Sequence, residues 1–272
     1  MLAAERIFPA TRLPRVPKWL FWSIALNLFQ ILTVIVAGRT WNQWLQAGSI
    51  FHLAALPTWL GALITYFFST FVFYWWHRIR HESAFWWRIA HQIHHSASRL
   101  EILTSFYKHP AEIVINSMLS AIVTYPIMGC STRQGACYTM LIAFGEMFYH
   151  WNIHTPRWLG HWFQRPESHR IHHQRDRHSR NYSDLPVWDK MFGTFANPKN
   201  GDAIVCGFGP PMEARLPEMI MAREVDTKRL SEPISFRPAC FGCSKSVRCE
   251  QQYQVDHPSD SAPASGAPPA RR

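Results

Sequence analysis

Four long apolar runs alternate with polar stretches along this chain. They cover Trp19 to Gly38, Leu53 to Trp76, Ala111 to Gly129 and Gly135 to Trp151. An α-helix needs about 20 mostly apolar residues to cross the hydrocarbon core of a bilayer, and these runs approach or exceed that length. The pattern therefore predicts an all-α integral membrane protein with about four transmembrane helices.

Two parts of this prediction have alternatives. The run from Trp19 to Gly38 is also compatible with a cleaved signal peptide. It is long for that role, however, and no clear small-residue cleavage site follows it, so a retained span is favoured. The third and fourth runs are also compatible with a re-entrant or partly immersed hairpin, because the fourth run is somewhat short.

Basic residues are distributed unevenly among the polar stretches. They concentrate in residues 1–18, between the second and third runs and after the fourth, whereas the two intervening loops carry only Arg39 and Arg133. Because cytoplasmic loops are rich in Lys and Arg, both termini are predicted on the cytoplasmic face of a bacterial inner membrane or the endoplasmic reticulum. The formal net charge of +10 then fits a membrane surface, and no nucleic-acid partner is expected.

Ten of the fifteen histidines fall in four clusters on the predicted cytoplasmic side. The ten are His77, His81, His91, His94, His95, His150, His154, His169, His172 and His173. Spacings of three and four residues place side chains on one face of a helix, so each cluster can direct two or three imidazoles at one point. A single first-row metal takes about four to six ligands, and ten imidazoles therefore indicate two metal ions.

A ligand imidazole needs a partner that fixes its tautomer, and several polar residues near the clusters could serve. They are His109, Glu146, Asp184 and Asp189. Glu146, His150 and His154 are spaced four apart and would form one stripe on the fourth helix. The alternative for the carboxylates is solvation at the interface or in a surface loop. His161 and His178 have no cluster partner at helical spacing, so neither is required as a ligand.

The histidine clusters resemble those of the fatty acid hydroxylase / sterol desaturase superfamily of membrane di-iron enzymes. The matches are His77–His81, His91–His95 and His169–His173, supported by His109-Pro110, His150-Trp151-Asn152, Asn181-Tyr182, Trp188-Asp189 and Phe192-Gly193-Thr194. The resemblance covers roughly residues 55–210. It is specific for the superfamily but not for one member. It adds Asn181 and Tyr182 to the residues expected beside the ligands.

The resemblance implies an O2-dependent oxidoreductase with two iron ions, held mainly by the ten histidines, and no catalytic residues beyond these ligands. Its substrate would be a lipid, such as a fatty acyl chain or a sterol, which it hydroxylates. Electrons would come from a separate protein, either cytochrome b5-like or ferredoxin-type. A desaturase of the same superfamily is one alternative. A membrane metal-binding or transport protein is another, although transport requires polar groups along a path through the spans.

Changes in composition divide the chain into four parts. Residues 1–18 are predicted to be a basic cytoplasmic segment, and residues 19–210 a membrane-embedded catalytic domain whose histidines lie in a cytoplasmic helical cap. Residues 211–232 would be a peripheral segment. Residues 233–272 are rich in Pro, Ser and Ala and are predicted to be disordered, since they cannot build a core. Cys240, Cys243, Cys249 and His257 could bind zinc, but the surrounding composition argues against it.

Overall fold

The structure is a computed structural model that describes residues 1–226. Its helices are α1 (Leu2–Ile7), α2 (Trp19–Arg39), α3 (Trp41–Trp44), α4 (Thr58–Glu82), α5 (Ala84–Ala90), α6 (Gln92–Ser96), α7 (Pro110–Ile122), α8 (Thr132–Tyr149), α9 (Pro166–His172), α10 (Pro186–Phe192) and α11 (Leu216–Ile220). Residues 1–226 contain no β-strand, which confirms the all-α prediction. The predicted disordered tail and its cysteines lie outside the described residues.

Within residues 1–226, three helical segments are long and apolar enough to cross a membrane. They are Trp19–Trp44, Thr58–Glu82 and Pro110–Ile127, with mean hydropathies of 2.0, 1.2 and 1.2. These segments contain the first predicted span and overlap the next two, since the second run begins at Leu53, before Thr58, and the third ends at Gly129, beyond Ile127. The fourth predicted span corresponds to α8, which is helical but does not meet the same criterion. The fold is thus helical with three candidate spans, and the fourth span remains a prediction.

The first candidate span shows why these helices need an apolar surrounding. Only 22% of its most apolar window is buried. Large side chains such as Leu20, Phe21 and Leu28 are between 55% and 63% exposed. Such a continuous apolar surface is typical of a face that contacts lipid rather than water.

Local sequence sets the ends of the helices that carry the site. α4 starts after Pro57, and Pro110 occupies the first turn of α7, where a missing N–H costs nothing. α7 continues through a π-helical turn, Val123–Ile127, that contains Pro126. α8 begins with a capping box in which Ser131 accepts from the Gln134 backbone N–H. These boundaries bring the end of α4, the start of α7 and the end of α8 to the same end of the bundle.

The short helices α5, α6 and α11 pack together at that end and form a cap. Trp87 of α5, Ile93 of α6 and Met219 of α11 are buried together in one apolar cluster with Trp19 and Tyr107. This cluster fixes α5 and α6 against the start of α2, so the histidines of the cap are held on a packed base.

Candidate metal centre

Nine of the ten predicted ligand histidines lie together in two groups. The five-histidine group is His77, His81, His91, His95 and His172, and the four-histidine group is His94, His150, His169 and His173. Within each group, one ring nitrogen of every member lies within 4.8 Å of those of the others. Each group could hold one metal ion.

Adjacent histidines in the two HxxHH clusters serve different groups. His95 belongs to the five-histidine group and His94 to the four-histidine group. His172 and His173 are divided in the same way. Successive residues on a helix point about 100° apart, so two neighbours cannot aim at one point but can reach two centres on either side. Each HxxHH cluster therefore ties the two groups together.

The ring nitrogens within each group converge. The Nε2–Nε2 distances are 2.9 Å for His77–His91, 3.2 Å for His91–His95, 3.2 Å for His94–His150, 3.0 Å for His150–His169 and 3.1 Å for His169–His173. Two ligands at right angles, each about 2.1 Å from a metal ion, would lie about 3.0 Å apart. The spacing of these nitrogens is therefore that of a ligand set.

With the tautomers assigned from their hydrogen-bond partners, a cation fits between these nitrogens. His77 donates from Nδ1 to the Tyr182 carbonyl at 2.6 Å, and His91 Nδ1 lies 3.0 Å from the Glu112 carboxylate, to which we assign its proton. A neutral imidazole carries one N–H, so the Nε2 atom of each ring then has only a lone pair. Two lone pairs facing each other at 2.9 Å repel unless a cation accepts both. The donor set therefore fits a metal.

Burial keeps these imidazoles in the form that binds metals. It lowers the pKa of His150 and of His172 to about 3. It also holds the pKa values of His94, His95 and His173 well below the ordinary value. Metal binding requires neutral histidine, so none of these groups needs to lose a proton at neutral pH.

Backbone carbonyls orient three of the ligand rings. His77 donates to the Tyr182 carbonyl, His172 to the Arg180 carbonyl at 2.7 Å and His150 to the Glu146 carbonyl at 2.7 Å. Each bond fixes the tautomer that leaves Nε2 free to bind a metal. Sequence could not identify these partners, because every residue has a carbonyl group.

Sequence reasoning also missed Glu112, which is fully buried in the first turn of α7. Its carboxylate accepts from His91 and forms an ion pair with Arg80. The available signal was an ionisable residue in an apolar run, which is costly unless it is paired. Glu112 therefore has the role that the sequence suggested for Glu146, Asp184 and Asp189, which is to orient a ligand imidazole.

Asn181, Tyr182 and Asp189 act on the site through the loop that precedes α10. Asp189 accepts from the backbone N–H groups of Tyr182 and Ser183 at 2.8 and 3.0 Å. Burial raises the pKa of Asp189 to about 6. Asn181 adopts a left-handed conformation with φ of 55° and donates to the Ser168 carbonyl at 2.8 Å. These bonds hold the Tyr182 carbonyl at the His77 ring.

Three predicted residues lie differently from expectation. α8 ends at Tyr149, so the predicted helical stripe through His154 was wrong. The His154 side chain is 56% exposed, lies 3.9 Å from Asp202 and belongs to neither group. The Glu146 side chain pairs with Lys108 at 2.6 Å, and only its carbonyl accepts from a ligand histidine.

His109 is the third of these residues. It is the N-cap of α7, where its Nδ1 accepts from the Ala111 backbone N–H. Its Nε2 donates to the Ile220 carbonyl at 3.1 Å. Both ring nitrogens are therefore engaged by the backbone, and His109 is outside both histidine groups.

His178 is buried beside the five-histidine group, although its spacing gave no such indication. Its ring centroid lies 4.6 Å from that of His95 and 5.3 Å from that of Trp87. His161, with which the sequence analysis paired it, is on the surface. The turn after α9 brings His178 back to the ligands, and helical spacing cannot predict such a return.

A cavity of about 580 Å³ connects both histidine groups to the helical bundle. His77 and His91 of the first group and His94 and His169 of the second line one part of it. Apolar side chains of α2 and α7, including Ile31, line another. The volume falls within the range of about 300–1,000 Å³ that is usual for small-molecule sites.

The cavity also contains charged side chains near the histidines. They are Arg80, Lys108, Glu146 and Asp184. Asp184 accepts from the hydroxyls of Tyr66 and Tyr149, and burial raises its pKa to about 7. The Tyr149 ring lies 4.4 Å from that of His169. The Tyr149 ring thus lies between Asp184 and His169. Asp184 was predicted to orient a ligand, and it reaches His169 only through Tyr149.

Comparison with known proteins identifies related sequences. Residues 62–194 match the family model described as Fatty acid hydroxylase. An alkylglycerol monooxygenase of Caenorhabditis elegans is 31% identical over 178 residues, which cover 61% of this chain and 32% of that protein. The ornithine lipid hydroxylase OlsE of Rhizobium tropici is 30% identical over 126 residues, which cover 45% of this chain and 38% of that protein.

A very-long-chain aldehyde decarbonylase of Oryza sativa subsp. indica, GL1-5, is 30% identical over 186 residues, covering 57% of this chain and 29% of that protein. The chain therefore spans only about a third of the length of these curated relatives. No solved structure matches it.

Proposed function

We propose that this chain, which belongs to the fatty acid hydroxylase family through residues 62–194, is a membrane oxygenase that uses O2 and external electrons to hydroxylate a lipid. The observation that carries the proposal is the shared cavity, which is lined by both histidine groups and by the apolar helices. All nine grouped histidines fall inside the matched segment. The related proteins named as lipid hydroxylases or monooxygenases support the same reaction class.

Two iron ions are the proposed cofactor, one in each histidine group. Imidazole suits iron, copper, zinc and nickel, and family membership favours iron. Bound iron would supply the O2 chemistry needed to break a C–H bond, which no side chain can provide. The protein's part is to hold neutral imidazoles in fixed tautomers, through Glu112 and the three backbone carbonyls.

A lipid would enter the cavity from the bilayer. Ile31, Val34 and Ile35 of α2 line the cavity and are also between 41% and 56% exposed, so they connect it with the lipid-facing surface. An acyl chain can lie among these side chains because apolar burial stabilises it there. Lys108 and Asp184 would meet the more polar part of the lipid, near the histidines.

The membrane arrangement belongs to the same proposal. α8 would be the fourth span, with both termini and both histidine groups on the cytoplasmic side. The support for this arrangement is the excess of basic residues on that side, against only Arg39 and Arg133 in the other two loops. A separate electron-donor protein would then reach the site from the cytoplasm.

Lipid mass spectrometry under 18O2 tests the reaction. A host that expresses the chain should gain a lipid with one additional oxygen atom derived from O2, and a His169→Ala variant should not produce it. Loss of two hydrogens instead would indicate the desaturase alternative, which begins with the same hydrogen abstraction. Metal uptake by whole cells without any lipid change would favour the transport alternative and would contradict the proposal.

Metal analysis tests the cofactor independently of the substrate. Protein purified without chelator should contain close to two iron ions per chain. A His95→Ala variant, altered in the five-histidine group, should lose about one of them. One ion or none in the unaltered protein after iron supplementation would refute the two-iron assignment.

A further inference from the structure

A second concavity, of about 560 Å³, lies next to α9. It is separate from the cavity of about 580 Å³ that both histidine groups line. Its charged side chains are mainly arginines. They are Arg12, Arg15, Arg170 and Arg175, opposed by Asp202 and Glu213. Glu213 is partly engaged, since it accepts from the Ser98 backbone N–H at 3.1 Å. We call this concavity the arginine surface.

The arginine surface is built on the same segment as the metal ligands. Arg170 lies between His169 and His172 in sequence, and Arg175 follows His173 by two residues. Their guanidinium groups donate to backbone carbonyls of residues 201–207, at 2.8 Å from Arg175 Nε to Gly207 and 3.1 Å from Arg170 Nε to Gly201. These bonds hold the wall of the concavity against α9.

Backbone hydrogen bonds link this wall to a ligand of the four-histidine group and to the residue that follows a ligand of the five-histidine group. The Gly207 N–H donates to the carbonyl of His173 at 3.2 Å, and the Phe208 N–H donates to the carbonyl of Ser96, next to His95, at 3.2 Å. Gln174 and Cys206 also form a backbone bridge. An electron that passes from the arginine surface to a ligand histidine would therefore cross only a few covalent bonds and one hydrogen bond.

Eight of the nine grouped histidines are buried, and only His77 is partly exposed. His95, His172 and His173 are fully buried, and His169 is only 1% exposed. If the chain is the oxygenase proposed above, electrons must therefore enter through protein surface close to the ligands. A charged surface joined to the ligand backbone offers such a route. Because the surface is positively charged, it favours an acidic partner.

We propose that the arginine surface docks an acidic electron-carrier protein that reduces the metal centre. This inference rests on the proposed function. Arg12 and Arg15 are exposed and would steer the carrier, since complementary charge raises association rates. An anionic lipid headgroup would also bind arginines, but it would have no need of the hydrogen-bonded connection to His173.

The test reverses the two exposed charges. The iron-loaded full chain in nanodiscs is compared with an Arg12→Glu/Arg15→Glu variant. An Arg39→Glu/Arg133→Glu variant is the matched control, because it changes the same charge on exposed residues. Arg39 ends the 21-residue α2, so it lies about 30 Å along the helix from the start at Trp19. The probes are a plant-type [2Fe–2S] ferredoxin and a soluble cytochrome b5 domain.

Binding is measured by calorimetry at low and high salt, separately from turnover. We expect at least one carrier to bind the parent chain and the control variant, with weaker binding at high salt. The Arg12→Glu/Arg15→Glu variant should bind that carrier about tenfold or more weakly. If neither carrier binds the parent chain, the proposal is overturned. It is also overturned if the parent chain and this variant bind the carrier equally.

Turnover distinguishes this inference from the proposed function. Lipid oxidation in a single turnover, after anaerobic reduction with stoichiometric dithionite and then addition of O2, should be equal in all three proteins. Carrier-driven oxidation should show a raised KM only in the Arg12→Glu/Arg15→Glu variant. If that variant instead loses binding to vesicles containing phosphatidylglycerol while its KM for the carrier is unchanged, the surface binds lipid and the proposal is wrong. If dithionite drives no lipid oxidation in the parent chain, the proposed function fails, and the binding result still decides the docking site.

Discussion

Replacing Glu112 with glutamine should weaken metal binding in the five-histidine group. The Glu112 carboxylate accepts from His91 Nδ1 at 3.0 Å and also pairs with Arg80, whose Nη1 lies 3.1 Å from the same ring nitrogen. Glutamine has one carbonyl oxygen, so it can accept from one of these donors only and must turn its own NH2 toward the other. The His91 ring would then face the Arg80 guanidinium without a carboxylate between them.

The expected loss follows from these contacts. Removing a carboxylate that orients a ligand histidine typically costs 10–100-fold in metal affinity, or about 1.4–2.7 kcal/mol. Glu112 and Arg80 are both buried, at 0% and 5% exposure. Removing one partner of a buried ion pair lowers the free energy of unfolding by about 3–5 kcal/mol, because the other charge is left uncompensated. The variant should therefore show both weaker metal binding and a lower free energy of unfolding.

Competition with a chelator, followed by elemental analysis, measures the affinity, and denaturant unfolding of the metal-free protein measures stability. Glu146→Gln is the matched control, because it makes the same chemical change and also breaks an ion pair, with Lys108. Its carboxylate has no hydrogen bond to a ligand histidine, so metal affinity should stay near the parent value. Parent-like affinity in Glu112→Gln, or an equal loss in Glu146→Gln, would refute this reasoning.

Three further predictions separate the site from its surroundings. His154→Ala should leave the iron content at the parent value by elemental analysis, since the side chain is exposed and outside both groups; a lost equivalent of iron would contradict the geometry. His178→Ala should lower iron content or activity more than His161→Ala, because only His178 packs against the ligand rings; the reverse ranking would be inconsistent with that packing. Ser117→Phe should reduce lipid turnover about tenfold or more with iron retained, because Ser117 lines the cavity, whereas Met118→Phe at the neighbouring exposed position should not. Equal turnover in these last two variants, measured by lipid mass spectrometry, would show that the lipid does not occupy this part of the cavity.

Sequence predicted the features that depend on local period. The apolar runs predicted helices, and three of them form candidate spans because length and composition alone decide that property. The spacings of His77 with His81 and of His169 with His173 predicted convergent rings, and each pair shares one histidine group. His77 and His81 lie on α4, and His169 lies on α9 with His173 at its C-cap. Where a helix continues through a motif, its geometry is contained in the sequence.

The same reasoning failed where the helix ended. The four-residue spacing of His150 and His154 predicts one helical stripe, but α8 stops at Tyr149. His178 shows the opposite error, since a turn after α9 returns it to the ligands without any periodic signal. Helix ends are set by capping and by packing of the following segment, which short motifs do not report.

The division of the ligands between two groups was decided only by the tertiary structure. Sequence indicated enough imidazoles for two metals, but it could not assign His94 and His95 to different groups. That assignment depends on how α6 is oriented between α4 and α8. The partners of the rings were equally hidden, because the Tyr182, Arg180 and Glu146 acceptors are backbone carbonyls and Glu112 lies 21 residues from His91. Spacing along one helix fixes the direction of a side chain relative to its neighbours, whereas the point at which side chains of different helices meet is set by the packing of the whole bundle.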